Sequence, residues 1–452
     1  VIVTMKERDS FGNHFGVLVA LAGSAVGLGN LWRFPYLVGT NGGASFILLY
    51  LFFVFLICLP LMFTEFVIGR RSQNNVFGAF RTLTHGKKPF WSKIGAISVL
   101  CAFVILSFYC VVGGWTINYL VKSVQMQFAE GVDFQQMFEH SSTSTAIPLI
   151  YTLVFLFLTA LIVIMGVKNG IEKYSKIMMP LLFLMVIVIA IRSLTLPGAS
   201  EGVRFLFYPD FSKITGDTVL AAMGQAFFSL SIGCGTIITY ASYVKKEENI
   251  ISSSAATAIM DLVFAILAGV AIMPAVFAFG LSPSEGPGLL FVIFPQIFSQ
   301  IPFGAVLAIL FFIVLFFAAL TSSISLLEVV VAFLSEEFKL KRNLATIIAS
   351  LSVTIVAALC SLSLGLLNDW TICKLPLFDF LDRLSADYLL PIGGLLFVIF
   401  AGWKMSDEEY FDELSNGNTL KQKRWFLYAI RFIVKYIAPI VIRIILISGL
   451  LK

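Results

Sequence analysis

Apolar residues run along this chain in long blocks separated by short polar segments, with no sustained alternation of period two. Eleven blocks can be marked, at about 14–38, 44–69, 92–124, 146–166, 171–192, 218–243, 249–280, 303–335, 343–366, 384–403 and 425–450. A helix of about 20 residues crosses the ~30 Å hydrocarbon core of a bilayer. The pattern therefore predicts an all-α integral membrane protein with eleven transmembrane helices, and it lacks the dyad repeat of an outer-membrane barrel. Two blocks are interrupted. The first holds "GSAVGLGNLWRFP" (23–35), and the sixth, "GQAFFSLSIGCGTIITYASY" (224–243), has Gly233 and Gly235 at its middle. Glycine costs about 1 kcal/mol in a helix relative to alanine, and an arginine at bilayer depth costs at least ~2.5 kcal/mol. One such block would be read as small-residue helix packing. Two lying five spans apart point elsewhere, because an odd offset reverses the direction of insertion. They predict two inverted five-helix repeats, about 14–192 and 218–403, with helices 1 and 6 broken and an extra C-terminal helix at 425–450.

Composition agrees. The 452 residues are 59% hydrophobic and 13% charged, with a mean hydropathy of +0.94, against about 25% charged residues in a soluble domain. The opening "VIVTMKERDS" lacks the apolar core and cleavage site of a signal peptide. The six cysteines and three histidines show no disulfide or metal-site spacing. The net charge of +5 reflects topology rather than nucleic-acid binding. With the N-terminus (Lys6, Arg8) in the cytoplasm, the basic clusters at 70–93, 168–173, 245–246, 339–342 and 421–424 also fall inside. The 126–145 and 281–302 loops, which then face outside, carry no Lys or Arg.

The broken helices suggest chemistry. Unwinding frees backbone N–H and C=O groups that hydrocarbon cannot satisfy. Half-helix N-termini suit a carboxylate, while freed carbonyls with Asn, Ser and Thr oxygens suit a small hard cation. A zwitterionic amino acid and Na⁺ fit these groups together.

The residues carry a resemblance as well. "GSAVGLGNLWRFP" with "NGGASF", then "LPLMFTEFVIGR" (59–70), "YCVVGGWT" (109–116), "GVKNGIEKYSKIMMP" (166–180), "QAFFSLSIGCGTIITYASYV" (225–244), "FPQIFSQ" (294–300) and "FFAALTSSISLLE" (316–328) occur in order. Together they resemble the neurotransmitter:sodium symporters, and within them the bacterial amino acid branch typified by the bacterial leucine transporter. That family is itself a type example of inverted repeats with broken helices. The resemblance implies a first sodium site from Ala25, Asn30, Ser229, the substrate carboxylate and Asp261. It implies a second from Gly23, Val26, Ala318, Thr321 and Ser322, at ordinary hard-cation distances of ~2.3–2.5 Å. The substrate carboxylate would meet the amides of Leu28 and Gly29 and the hydroxyl of Tyr109, and the amine would meet carbonyls of Ala25, Phe228 and Ser231. Ser24, Ile105, Phe228, Ser229, Cys234, Ser322 and Leu326 complete the substrate set. Cys234 stands where the leucine transporter has a large aromatic, which favours bulky apolar or aromatic substrates.

For the outer gate the resemblance implies Arg33 paired with an acid of the tenth span, Asp379 or Asp382, with Asp379 preferred, under a lid from Tyr109 and Phe228. The inner gate pairs Arg8 with Glu336, beside Tyr243. Solvated helix ends are the competing reading of these charges. Asp261 lies deep in the seventh span, where a carboxylate is by default functional. It is expected to supply the negative charge that animal members take from chloride near Tyr50, Gln225 and Ser229, with Glu65 as the rival. Transport would then be chloride-independent, and the carboxylate suits proton antiport on the return step. Gly170 and Pro180 bracket a segment expected to unwind, since Pro180 removes a helical hydrogen bond.

These readings imply a sodium-coupled, alternating-access symporter of hydrophobic or aromatic L-amino acids, with the lipid bilayer as its surroundings. Alternatives are a sodium-coupled transporter of another small zwitterionic solute and a transport-inactive amino acid sensor. An intramembrane hydrolase lacks a Gly-x-Ser-x-Gly or metal motif here. The lack of a twelfth span and of a disulfide-bearing outer loop fits a bacterial inner membrane, with the C-terminus outside.

Overall fold

Each apolar block becomes a helix because a backbone surrounded by lipid must satisfy its own hydrogen bonds. A computed structural model describes residues 10–86, 89–281, 289–417, 419–420 and 422–450. Among them, eight helices are long and apolar enough to cross a membrane: Ala44–Ser72, Phe90–Val124, Ala146–Ile164, Val167–Leu194, Ile250–Ala278, Gly304–Glu337, Arg342–Ser363 and Leu377–Lys404. A ninth span is the bent pair His14–Ala25 and Gly29–Thr40, which meet at 49°. The sixth block forms two pieces, Gly216–Ser229 and Thr236–Ala241, each too short to span alone. The last block runs from Arg424 to Leu450 through a π-turn at Ile433–Ile437. Arg424, Arg431, Lys435 and Arg443 dilute its hydropathy. These segments are consistent with the eleven read from the sequence. The tenth begins at Leu377 rather than 384 because its charged first turns are still helical. Connecting helices at Val76–Leu83, Phe134–Thr143, Ala199–Phe207 and Asp407–Leu414 and a hairpin pairing Thr371–Ile372 with Leu375–Pro376 fill the loops.

Phe157, Leu184, Ile191, Leu351 and Ile355 point outward and exposed from the fourth, fifth and ninth spans, as lipid-facing residues do. The first, second, third, sixth, seventh and eighth spans are the more buried ones, packed around the breaks. The first break follows from Val26, whose extended backbone (ψ 101°) ends the helix at Ala25. In the sixth span Gly233 (φ +93°) and Gly235 (φ +79°) are left-handed, and Ser231 (φ +53°) joins them without being glycine. The groups so freed find partners. Gly233 N–H donates to Glu65 Oε1 at 2.8 Å, and Ser98 Oγ donates to the Gly233 carbonyl at 3.2 Å. Ser231 Oγ donates across to the carbonyl of Ser24 at 3.1 Å, tying the two breaks together.

Close backbone contact fixes this region. A Cβ on Gly393 would lie 2.1 Å from the Gly233 carbonyl oxygen, and one on Gly69 would lie 2.2 Å from that of Ile238. On the basic face, buried Arg70 bonds Glu413 and the Glu248 carbonyl, and donates to Asn416 Oδ1 at 2.8 Å. Arg431 reaches Asp407 at 2.7 Å and the carbonyls of Ala401 and Met405 at 2.6 and 2.8 Å. Its charge is therefore spent inside the protein, which lets an arginine sit in the last span.

Candidate functional site

At the first break, Asn30 lies in the π-turn Gly29–Arg33 that opens the outer half of the span. Its Nδ2 donates to Asp261 Oδ1 at 2.8 Å and to Ser229 Oγ at 3.1 Å, and its Oδ1 accepts the Gly27 N–H at 3.2 Å. Ser229 Oγ donates to Asp261 Oδ2 at 2.7 Å, and the Tyr50 hydroxyl reaches the same oxygen at 3.1 Å. Asn30, Tyr50 and Asp261 are fully buried. A bare carboxylate there would be costly, and these donors are what make it tolerable. Gln225 stands beside them, its Nε2 donating to the Gly29 carbonyl at 3.4 Å while its buried Oε1 has no partner. The two carboxylates considered for the negative charge thus part company: Glu65 holds the sixth-span break at Gly233, and Asp261 sits with Tyr50 and Ser229.

One cavity takes in every expected substrate residue except Leu28, and adds Gly27, Ser325 and Leu390. The Leu28 N–H donates to the Tyr109 hydroxyl at 3.3 Å, beside that cavity. Gly27 is required, since a Cβ there would meet Ser322 Oγ at 2.3 Å. On the other side of the first span, Thr321 Oγ1 lies 3.1 Å from the Ala318 carbonyl and 3.5 Å from that of Val26. Gly23 abuts Thr321, where a Cβ would be 3.3 Å from the threonine Cβ. Ser322, expected at both sites, turns toward the cavity. Ser323 packs the eighth span on the fourth through Thr159 Oγ1, at 2.9 Å.

The gates differ from expectation in detail. The Arg33 guanidinium lies over the Phe228 ring, 4.7 Å from its centroid, which covers the cavity. The acid that interacts electrostatically with Arg33 is half-buried Asp382; the preferred Asp379 lies one turn away and exposed. On the opposite face Arg8 lies outside the described residues. Glu336 accepts from the backbone N–H and side-chain amide of Asn75 at 2.7 and 2.9 Å. Tyr243 donates to Glu328 at 2.7 Å. Glu328 is held in turn by Arg342, at 3.0 and 2.5 Å. The sequence reading missed that pair, although a carboxylate inside the eighth span is itself a signal. The Gly170–Pro180 segment is helical here, with a π-turn at Val167–Glu172 and Pro180 inside Lys173–Leu194.

Comparison with known proteins follows the same lines. The model of the sodium:neurotransmitter symporter family matches residues 8–143 and 131–452. The uncharacterized sodium-dependent transporter YhdH of Bacillus subtilis is 39% identical over 448 residues, covering 98% of both chains. An uncharacterized sodium-dependent transporter of Haemophilus influenzae is 36% identical, covering 98% of this chain and 99% of its own. Among solved structures, MhsT in complex with L-phenylalanine superposes with a TM-score of 0.91 at 42% identity, over 98% of this chain and all of that one. The chain belongs to the sodium:neurotransmitter symporter family, and is a multi-pass, sodium-dependent membrane transporter rather than an enzyme.

Proposed function

We propose that the protein couples inward sodium flow to uptake of hydrophobic or aromatic L-amino acids, without need of chloride. The observation that carries this is the Asp261 carboxylate, bonded to Asn30, Tyr50 and Ser229 beside the two helix breaks. A fixed negative charge there does what a bound chloride would do, balancing a cation in a low-dielectric site. Na⁺, a transported substrate here, meets Ala25, Asn30, Ser229 and Asp261 at one site. At the other it meets Gly23, Val26, Ala318 and Thr321, with Ser322 facing both that ion and the amino acid. The substrate carboxylate completes the first ion's shell, so each ligand raises the other's affinity. The amides of Leu28 and Gly29 and the Tyr109 hydroxyl hold that carboxylate, and the side chain runs toward Ile105, Cys234 and Leu326. The L-phenylalanine held by MhsT, an aromatic amino acid, supports this choice. Arg33 with Asp382, over Phe228, closes the outer path; Glu336, and Tyr243 with Glu328, close the inner one. The repeats 14–192 and 218–403 rock about the site, in an inner membrane with the N-terminus cytoplasmic and the C-terminus outside. Proton return on Asp261 balances the charge of the empty carrier.

The test is binding of an amino acid panel to purified protein in NaCl, sodium gluconate and choline chloride. Saturable binding that needs sodium and ignores chloride is expected. Binding that persists in choline chloride breaks the coupling, and binding lost in gluconate removes the role given to Asp261.

A further inference from the structure

Ser325 was not among the residues expected at the substrate site, yet it lines the cavity one helical turn beyond Ser322. Ser24 Oγ donates to Ser325 Oγ at 2.9 Å, and Ser325 Oγ donates to the Ser322 carbonyl at 2.8 Å. The two hydroxyl protons are thereby spent on a directed relay, and the lone pairs of Ser24 Oγ remain for the cavity. Nearby, Ser231 Oγ and Cys234 Sγ also direct their hydrogens at carbonyls, those of Ser24 and of Ser231, at 3.1 and 3.0 Å. The side-chain hydrogens of Ser24, Ser325, Ser231 and Cys234 are therefore all taken up within the protein, and their lone pairs are what they offer the cavity. On the reading above the amino acid's carboxylate sits at the Leu28 N–H and the Tyr109 hydroxyl, and its side chain runs toward Cys234 and Leu326 of the same cavity. Its other walls are apolar, Ile105 and Leu326.

We infer that the Ser24–Ser325 pair reads a single hydrogen-bond donor on the rim of an aromatic side chain, so that the preferred substrates are amino acids with a phenol O–H or an indole N–H rather than a plain phenyl ring. The inference rests on the amino acid transport reading above. The physical reason is an asymmetry. A pocket built to pair with a donor rejects the analogue that lacks it, because its own acceptor is then desolvated and left unpaired. Cys234, a small side chain on the cavity wall, leaves room there for a ring. Cys234 and Leu326 alone would rank substrates by size; the hydroxyl pair ranks them by chemistry.

Equilibrium binding of tyrosine, tryptophan and phenylalanine in sodium chloride, with a bound-sodium control in choline chloride, tests this. The wild type should bind tyrosine and tryptophan about three- to tenfold more tightly than phenylalanine, one net hydrogen bond's worth. Ser24→Ala should bring the tyrosine-to-phenylalanine ratio toward one, and Ser24→Thr, which keeps the hydroxyl, should restore it. Because the readout is a ratio measured on one preparation, a loss of folded protein does not move it. O-methyltyrosine, which cannot donate, should fall to the phenylalanine level or below. Phenylalanine binding as tightly as tyrosine in the wild type, or a ratio unmoved by Ser24→Ala, overturns the inference while leaving amino acid transport standing. If none of the three binds in sodium, the transport reading falls, and this inference falls with it.

Discussion

Around Asp261, side chains from three spans close on the carboxylate of a fourth, whereas around Thr321 the converging oxygens are a hydroxyl and backbone carbonyls with no charge among them. The first cluster holds its shape through Asn30, Tyr50 and Ser229, which already bond to the anion. The second is shaped by where the Val26 carbonyl of the broken span happens to stand against the eighth span. A cation at the first is attracted by a fixed charge in a poorly polarisable surrounding; at the second it meets dipoles alone. On the proposed assignment of two sodium sites, occupancy of the first depends on charge and that of the second on helix position. The neutral site should be the one that reports movement of the first span, and the one that empties first when that span shifts.

The largest break in this contrast should come from Asp261→Asn. We expect sodium-dependent amino acid binding in gluconate to fall about 100-fold or more, the cost of stripping one partner from a buried ionic pair. Chloride should recover part of it, as read by binding titrations in chloride and gluconate. An unchanged affinity would mean the two clusters are electrostatically alike. Next in size, Thr321→Val should raise the sodium half-saturation about tenfold while keeping chloride indifference, since it removes one ligand oxygen of a neutral set. Ser322→Ala sharpens the assignment: a larger change in amino acid affinity than in sodium dependence would put Ser322 with the cavity. At the outer gate, Asp382→Asn should slow amino acid uptake into proteoliposomes about fivefold and Asp379→Asn less than about twofold, because an exposed charge contributes little. The smallest effect should be that of Tyr50→Phe, about threefold in amino acid affinity, for one hydrogen bond among several on the same carboxylate.

Much of this was legible in the sequence because lipid leaves the backbone so few options. Long apolar runs had to be helices, and glycines clustered with polar residues inside two of them marked where helices stop. Asp261 stood out for the same reason, as a charge with no cheap place to be. The parts that were not legible depend on helix phase and on partners far along the chain. Asp379 and Asp382 differ by one turn, and choosing between them required knowing that the tenth span starts at Leu377 and passes a π-turn at Leu384–Leu389. Ser325 had no local signal in "TSSIS", because its partner Ser24 lies 301 residues earlier in the chain. Glu328 could not be matched to both Tyr243 and Arg342 by local spacing, because they meet only when the sixth, eighth and ninth spans pack.

The bare backbones at Gly69 and Gly393 bear on how the carrier can cycle. Each lets a neighbouring carbonyl approach to a distance that excludes even a methyl group, Gly393 at the break of the sixth span against Gly233 and Gly69 at its inner half against Ile238. Parting such surfaces would open a gap too narrow for water and unfilled by lipid, losing every dispersion contact along it at once. That seam should behave as a weld. A cycle that must expose the cargo to alternate sides then has to hinge elsewhere, and the inner half of the sixth span should travel with the helices of Gly69 and Gly393 as one piece.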